Sequence, residues 1–269
     1  MKATLIIAVY KNVIYLKSVL DSLRYQTVND FEVIIAEDGE CKEMREFIGT
    51  YPFLHPFQHI TQPDEGWRKN KILNKAIRAS KSNWLIFIDG DCVLHPRFIE
   101  MHFHYAEENT ILAGKRVKLD QEFTDVLLDN IDQVQYMSKK LVRKLLIGKM
   151  KLRHPEEGIF LDPKSFWGFI PKLRHLDNLK GCNMSFAKEA ICSINGFDED
   201  YILPAIGEDF DITWRLAAAG YRYKSVRNLA VQYHLHHPEN WADTTENMKI
   251  CNANKAINKF VCSNGLEKR

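Results

Sequence analysis

The sequence predicts an α/β fold in which a mixed, mostly parallel sheet is flanked by helices. Short apolar runs, the kind that suit strands buried on both faces, recur at residues 4–10, 31–36 and 84–88. Between them lie segments whose apolar residues fall at helical spacing. Strands alternating with helices argue parallel pairing through right-handed crossovers. The rhythm breaks over 120–180, which reads as a helical insertion. The 269 residues are expected to form one domain: a first half (1–105), the insertion (120–180), a second half (181–240) and a helical tail (241–269).

Taken in order, residues 4–10 form the first strand, ended by Lys11 and Asn12. Leu16, Val19, Leu20 and Leu23 make the apolar stripe of a helix over 13–25. A second strand at 31–36 closes on Glu37-Asp38-Gly39-Glu40. A short helix at 42–49, a strand at 57–61 and a helix at 69–80 follow. The central run Trp84-Leu85-Ile86-Phe87-Ile88 stops at Asp89-Gly90-Asp91. Gly90 is expected there to free the backbone for a sharp turn. In the insertion, 134–152 reads as a helix carrying Lys139, Lys140, Arg143, Lys144, Lys149 and Lys151 with no acid. An aromatic- and proline-rich loop spans 154–171. Helices are expected at 187–194 and at 209–219, the latter stopped by Gly220. Short strands lie within 221–233, and a helical tail at 241–262 is expected to pack on the outside.

At 45% hydrophobic the chain can bury a large core. Its net charge of +2 gives no sign of a nucleic-acid binder. No secretory signal is read at the start, and no apolar run approaches the roughly 18 residues of a membrane span. Six cysteines, Cys41, Cys92, Cys182, Cys192, Cys251 and Cys262, form no CxxC pair. They suit free thiols in a reducing cytosol. There is no GxxxxGK[ST] loop, no GxGxxG and no GxSxG elbow. Any bound phosphate must therefore be handled by side chains and metal.

The chemistry is expected in polar clusters at the ends of apolar runs, where open α/β sheets bind ligands. Asp89 and Asp91 can hold a hard divalent cation, although Asp-Gly is also ordinary turn chemistry. Asp38 can accept from a base edge or a ribose hydroxyl, or serve the turn before Gly39. Arg68 can pair with a diphosphate or base, or sit solvated at a helix start. Glu208 and Asp209 precede a helix, where the dipole favours acids anyway; that covers one acid better than two. His234, His236 and His237 lie within four residues and can supply a metal ligand.

The order of motifs resembles family 2 nucleotide-sugar glycosyltransferases with the GT-A fold, a Rossmann-like sheet. The match is to the bacterial polysaccharide branch with a galactosyl- and N-acetylgalactosaminyltransferase-like C-terminal half. The carrying residues are Ile7-Ala8-Val9-Tyr10, Ala36-Glu37-Asp38-Gly39, Gln62 to Arg68, Asn74 and Phe87 to Asp91. Gly181 to Ser185, Gly196 to Glu199, Gly207 to Asp211 and Tyr233 to Pro238 complete them. The resemblance covers about 3–105 and 178–240. No phosphate-side serine follows the first strand, and Glu37 stands where many members have aspartate.

The resemblance implies a nucleotide-sugar donor, UDP-linked, bound by the first half, with Tyr10, Asp38 and Arg68 on the nucleoside side. Asp89 would contact ribose or metal. Asp91 and a histidine, His234 foremost, would ligate Mn²⁺ or Mg²⁺. Asp209 would act as the base of an inverting transfer and Glu208 would hold the acceptor, a surface polysaccharide or lipid-linked glycan. The protein would be cytoplasmic. The basic helix at 134–152 either packs on the sheet or rests on the inner face of a membrane. The competing readings are a sugar nucleotidyltransferase, for which residues 8–16 lack the expected glycines and arginines, and a non-catalytic sugar-binding module.

Overall fold

The structure, a computed structural model, describes residues 1–147, 152–176, 178–238 and 243–269. The first half runs β1 (Ala3–Val9), α1 (Val13–Ser22), β2 (Phe31–Glu37), α2 (Lys42–Thr50), β3 (Phe57–Thr61), α3 (Lys69–Ala79) and β4 (Trp84–Asp89). Then come β5 (Cys92–Leu94), α4 (Phe98–His104), β6 (Thr110–Ala113), β7 (Val117–Lys118), α5 (Gln121–Asp129), α6 (Val134–Ile147) and α7 (Ile170–Leu173). The rest is β8 (Met184–Ala187), α8 (Lys188–Ser193), α9 (Ile212–Ala218), β9 (Arg222–Ser225), β10 (Gln232–His234) and α10 (Thr245–Ala256).

Seven strands form one sheet in the order β3-β2-β1-β4-β8-β6-β9. All its pairings are parallel except those of β8 with β4 and β6. The apolar runs are continuous because both faces are covered. Leu5, Ile7, Ile86 and Ile88 enter one core, whereas Ile6, Leu85 and Phe87 enter the other. This is the period of two expected of a strand. The chain leaves β1 on one side, builds β2 and β3, and returns to place β4 on the other side of β1. That reversal opens a crevice at the carboxyl ends of β1 and β4.

A second sheet, β5-β10-β7, packs beside the first core. Its strands have only two or three residues and escaped the periodicity argument. Strand β8 was legible only as a motif. Its neighbour Asn183 donates from one amide to the carbonyls of Lys115 and Ala230 and so ties three segments together.

Several expected boundaries are corrected. Gly90 lies outside the positive-φ region; a Cβ there would come within 2.5 Å of Val9 Cγ1, so crowding against β1 requires the glycine. The helix expected at 209–219 opens as a wide π-type turn over Ile206–Asp211 before α9 begins. The tail is helical only over Thr245–Ala256, with residues 241–242 outside the described set. Beyond it the chain returns to the body instead of staying outside. The Asn195 amide donates to the carbonyls of Cys262 and Glu267, and Phe260 and Leu266 pack on the second core. In the basic helix Val134, Met137 and Leu141 are buried, whereas Leu145, Leu146 and Ile147 are exposed. Lys149 and Lys151 lie outside the described residues.

Candidate active site

The crevice at the ends of β1 and β4 is a cavity of about 560 Å³ lined by Tyr10, Asp38, Lys69, Asp89, Asp91 and His237, among others. A second cavity of about 270 Å³, sharing Lys69 and Asp89 with it, is lined by Arg116, Lys180, Glu208 and Asp209. The sequence-predicted acids therefore fall into two adjoining chambers.

Strand register assembles the first cluster. Strand β10 pairs antiparallel with β5, His234 opposite Cys92, and the Leu235 N–H donates to the Asp91 carbonyl. His234 Nε2 then lies 3.4 Å and His237 Nε2 3.2 Å from the same carboxylate oxygen, Asp91 Oδ2. Burial alone would raise the Asp91 carboxyl; hydrogen bonds from His234 and His237 and the charge of Arg116 reverse this and hold it well below its ordinary value. The hydrogen bond to Asp91 raises His237 in turn. The ligand atoms of Asp91, His234 and His237 lie within 4.8 Å of one another. One carboxylate and two imidazoles fit a first-row divalent cation such as Mn²⁺ better than Mg²⁺, which favours oxygen ligands. His236 is not in this cluster; its backbone carbonyl accepts from Tyr15 Oη and its N–H donates to Thr124.

Asp89 faces elsewhere. Its oxygens accept from Lys69 Nζ at 2.8 Å and Arg116 at 3.0 Å. Lys69 also stands 3.6 Å from Glu208 Oε1. Burial would lower the Lys69 ammonium, but Asp89 and Glu208 together raise it above its ordinary value. Sequence reasoning named Arg68 and passed over Lys69. The Arg68 guanidinium turns onto the Trp67 carbonyl, while its backbone N–H donates to Asp38 at 2.8 Å. The other Asp38 oxygen accepts from Gln62, so this carboxylate is held rigidly at the cavity wall. Tyr10, half exposed, donates to Asp64. Glu37 is buried and bonds His59 and the Cys41 N–H, away from the cavity.

The 206–211 turn presents the second pair of acids. Ala205, just before it, has φ 88° and ψ −58°, the strained values of a γ-turn. Gly207 is required because a Cβ would lie 2.7 Å from Tyr201 Cβ. Asp209 accepts from the Gly181 N–H at 2.6 Å and from Lys180 at 3.0 Å. Burial pushes the Glu208 carboxyl up to about 7, against the opposing charge of Lys69, and its Oε2 is buried without a hydrogen-bond partner among the described residues. Asp211 has a different task. Fully buried, it accepts from Tyr201, Trp214 and Arg215, with Arg215 at 3.0 Å. Asn70 and Asn74 of α3 bond the carbonyls of Asp198 and Phe197, which locks the Gly196–Glu199 turn against the first half. These motif residues hold the two chambers together without lining the chemistry.

Residues 4–169 match Glycosyl transferase family 2, and residues 171–238 match the N-terminal domain of galactosyltransferase. Chondroitin synthase of Escherichia coli is 26% identical over 239 residues, spanning 84% of this chain but 33% of that protein. The chain thus spans about a third of that relative's length. Among solved structures, S. aureus TarS 1-349 in complex with UDP-GlcNAc superposes with a TM-score of 0.60 at 14% identity, over 94% of this chain and 66% of that one. The Pyrobaculum calidifontis mannosyltransferase PcManGT in complex with GDP-Man and Mn²⁺ gives 0.57 at 16%, over 96% and 62%. The family match covers more than half of the residues, and the likeness to these neighbours is one of fold: the chain belongs to glycosyl transferase family 2 and has the GT-A fold.

Proposed function

We propose that this domain transfers a sugar from a nucleoside-diphosphate donor, UDP-linked, to a hydroxyl of a growing surface polysaccharide or lipid-linked glycan, with inversion at the anomeric carbon. The observation that carries this is the shared wall. Asp89 and Lys69 line both the chamber holding Asp38 and Asp91 and the chamber holding Glu208 and Asp209. A sugar at that wall has its diphosphate on one side and its acceptor on the other. Tyr10, Asp38 and the Arg68 backbone form the nucleoside end. Asp91, His234 and His237 would hold the cation, which supplies charge neutralisation for the departing diphosphate. Lys69 and Arg116 set the orientation of Asp89 beneath the sugar.

Asp209 takes the proton from the acceptor hydroxyl, aimed by the Gly181 N–H, and Glu208 orients the acceptor. A second assignment exchanges these roles. The raised Glu208 carboxyl, and its Oε2 without a hydrogen-bond partner among the described residues, favour it, because a base near neutral is well matched to its task. Family membership favours sugar transfer over nucleotide transfer and over mere sugar binding. No helix among the described residues is long and apolar enough to cross a membrane. Contact with the inner membrane face would instead use the exposed end of α6, where Leu145, Leu146 and Ile147 lie beside Arg143 and Lys144. The deciding experiment incubates the protein with UDP-, GDP- and dTDP-sugars and Mn²⁺. Metal-dependent release of the nucleoside diphosphate from one donor is expected. Pyrophosphate release, or none of either product, would overturn the reading.

A further inference from the structure

The second chamber is lined by more cations than acids. Among the described residues Lys69, Lys115, Arg116, Lys118 and Lys180 line it, with His154, against Asp89, Glu208 and Asp209. Lys69 and Arg116 are committed to Asp89, Lys180 to Asp209, and Lys118 is engaged as well. Lys115 is half-buried and has no ion-pair partner among the described residues. Of the five cations only Lys69 reaches the donor chamber, so Lys115 lies on the far side of the reacting centre. Asn183 fixes the Lys115 backbone carbonyl to β8 and to Ala230, so the cation stands on a braced segment. A cation in a cleft that is not committed to a neighbouring acid attracts a ligand of the opposite sign.

We propose that the acceptor is anionic, carrying a carboxylate or a phosphate close to the hydroxyl that is glycosylated, and that Lys115 is its principal contact. This rests on the transfer reading above and adds the acceptor's chemical class. An anion seated there would accept charge-assisted hydrogen bonds from an ammonium that has no ion-pair partner among the described residues. A neutral glycan offers only hydroxyls. The same charge disfavours a cationic amino sugar at this position.

The test uses the whole protein saturated with UDP and Mn²⁺ and three probes: methyl glucoside, methyl glucuronide and methyl glucoside 6-phosphate. Their affinities are measured by ligand-observed NMR at low and high salt. An anionic probe should bind at least about tenfold more tightly than the neutral one at low salt, and whichever does so identifies carboxylate or phosphate. In Lys115→Gln the preference should fall several-fold. Equal behaviour of the three probes, shared absence of binding included, overturns the proposal and leaves the transfer reading standing. If Lys115→Gln weakens UDP by the same factor as the anionic probe, the cations serve the donor diphosphate and the proposal also fails. If UDP with Mn²⁺ does not bind at all, the transfer reading beneath it fails.

Discussion

Replacing Glu208 with glutamine should make the protein more stable above neutral pH. The Glu208 carboxyl is moved from an ordinary 4.5 to about 7, chiefly because burial penalises its charge more than Lys69 relieves it. The sign follows from proton linkage. Below 4.5 the carboxyl is protonated in both folded and unfolded chains. Between 4.5 and 7 the unfolded chain loses the proton while the fold retains it, so stability falls as pH rises; above 7 the loss is complete. At about 1.4 kcal/mol per pH unit the full loss is about 3 kcal/mol. The side chain is only 13% exposed, so solvent screens little of this. Glutamine has nearly the same shape and no charge, and Lys69 keeps Asp89 as its partner at 2.8 Å. The assay is urea unfolding of both proteins from pH 4.5 to 8.5. The variant should match the wild type at the acid end and exceed it by up to about 3 kcal/mol at pH 8, with unchanged slope against urea. Asp198, also raised by burial, to about 6, titrates in both proteins and cancels in the difference. A constant offset across the range, or a variant weaker at pH 8, would refute the reasoning.

Asp91→Ala should abolish both Mn²⁺-dependent turnover and thermal stabilisation by Mn²⁺ while the fold persists; unchanged turnover would remove Asp91 from the site. Asp209→Asn should retain donor binding and lose about 10²–10⁴-fold in transfer. A loss below about tenfold, with the larger loss in Glu208→Gln, would make Glu208 the base. Asp211→Ala should cost about 3–5 kcal/mol in urea unfolding, because it strands the buried Arg215 guanidinium. A loss of activity without a loss of stability would contradict that structural role. The protein should co-sediment with anionic vesicles at low salt, and less so after Lys139→Glu and Arg143→Glu, which are exposed, whereas Lys144 already pairs with Glu122. Equal recovery in the supernatant with neutral and anionic vesicles would end the membrane reading.

Much of the first half was legible because its signals are local. The runs ending at Val9, Glu37 and Asp89 are long enough for a buried strand to be recognised, and α1 and α3 show their buried stripes in sequence. The order of polar clusters likewise pointed to the family without any distance. Elements of two to four residues, such as β5, β7 and β8, were not legible as strands. Nothing in so short a segment separates a strand from a turn; pairing partners remote in the chain decide it.

The site shows the same division. The sequence by itself determined which residue types are present at strand ends: paired acids, a histidine cluster, a basic segment beside Trp67. Only the tertiary structure decided how they combine. Asp91 joins His234 and His237 because β10 pairs with β5 across some 140 residues of chain, whereas Asp89, two positions earlier, turns to Lys69 and Arg116. Three acids of one short motif part in the same way: Asp211 into the core with Arg215, Asp209 onto Lys180, and Glu208 beside Lys69 with its carboxyl raised by burial. Composition is written along the chain, but charge pairing and desolvation depend on distances of a few ångströms, and those are set by the packing of segments far apart in sequence.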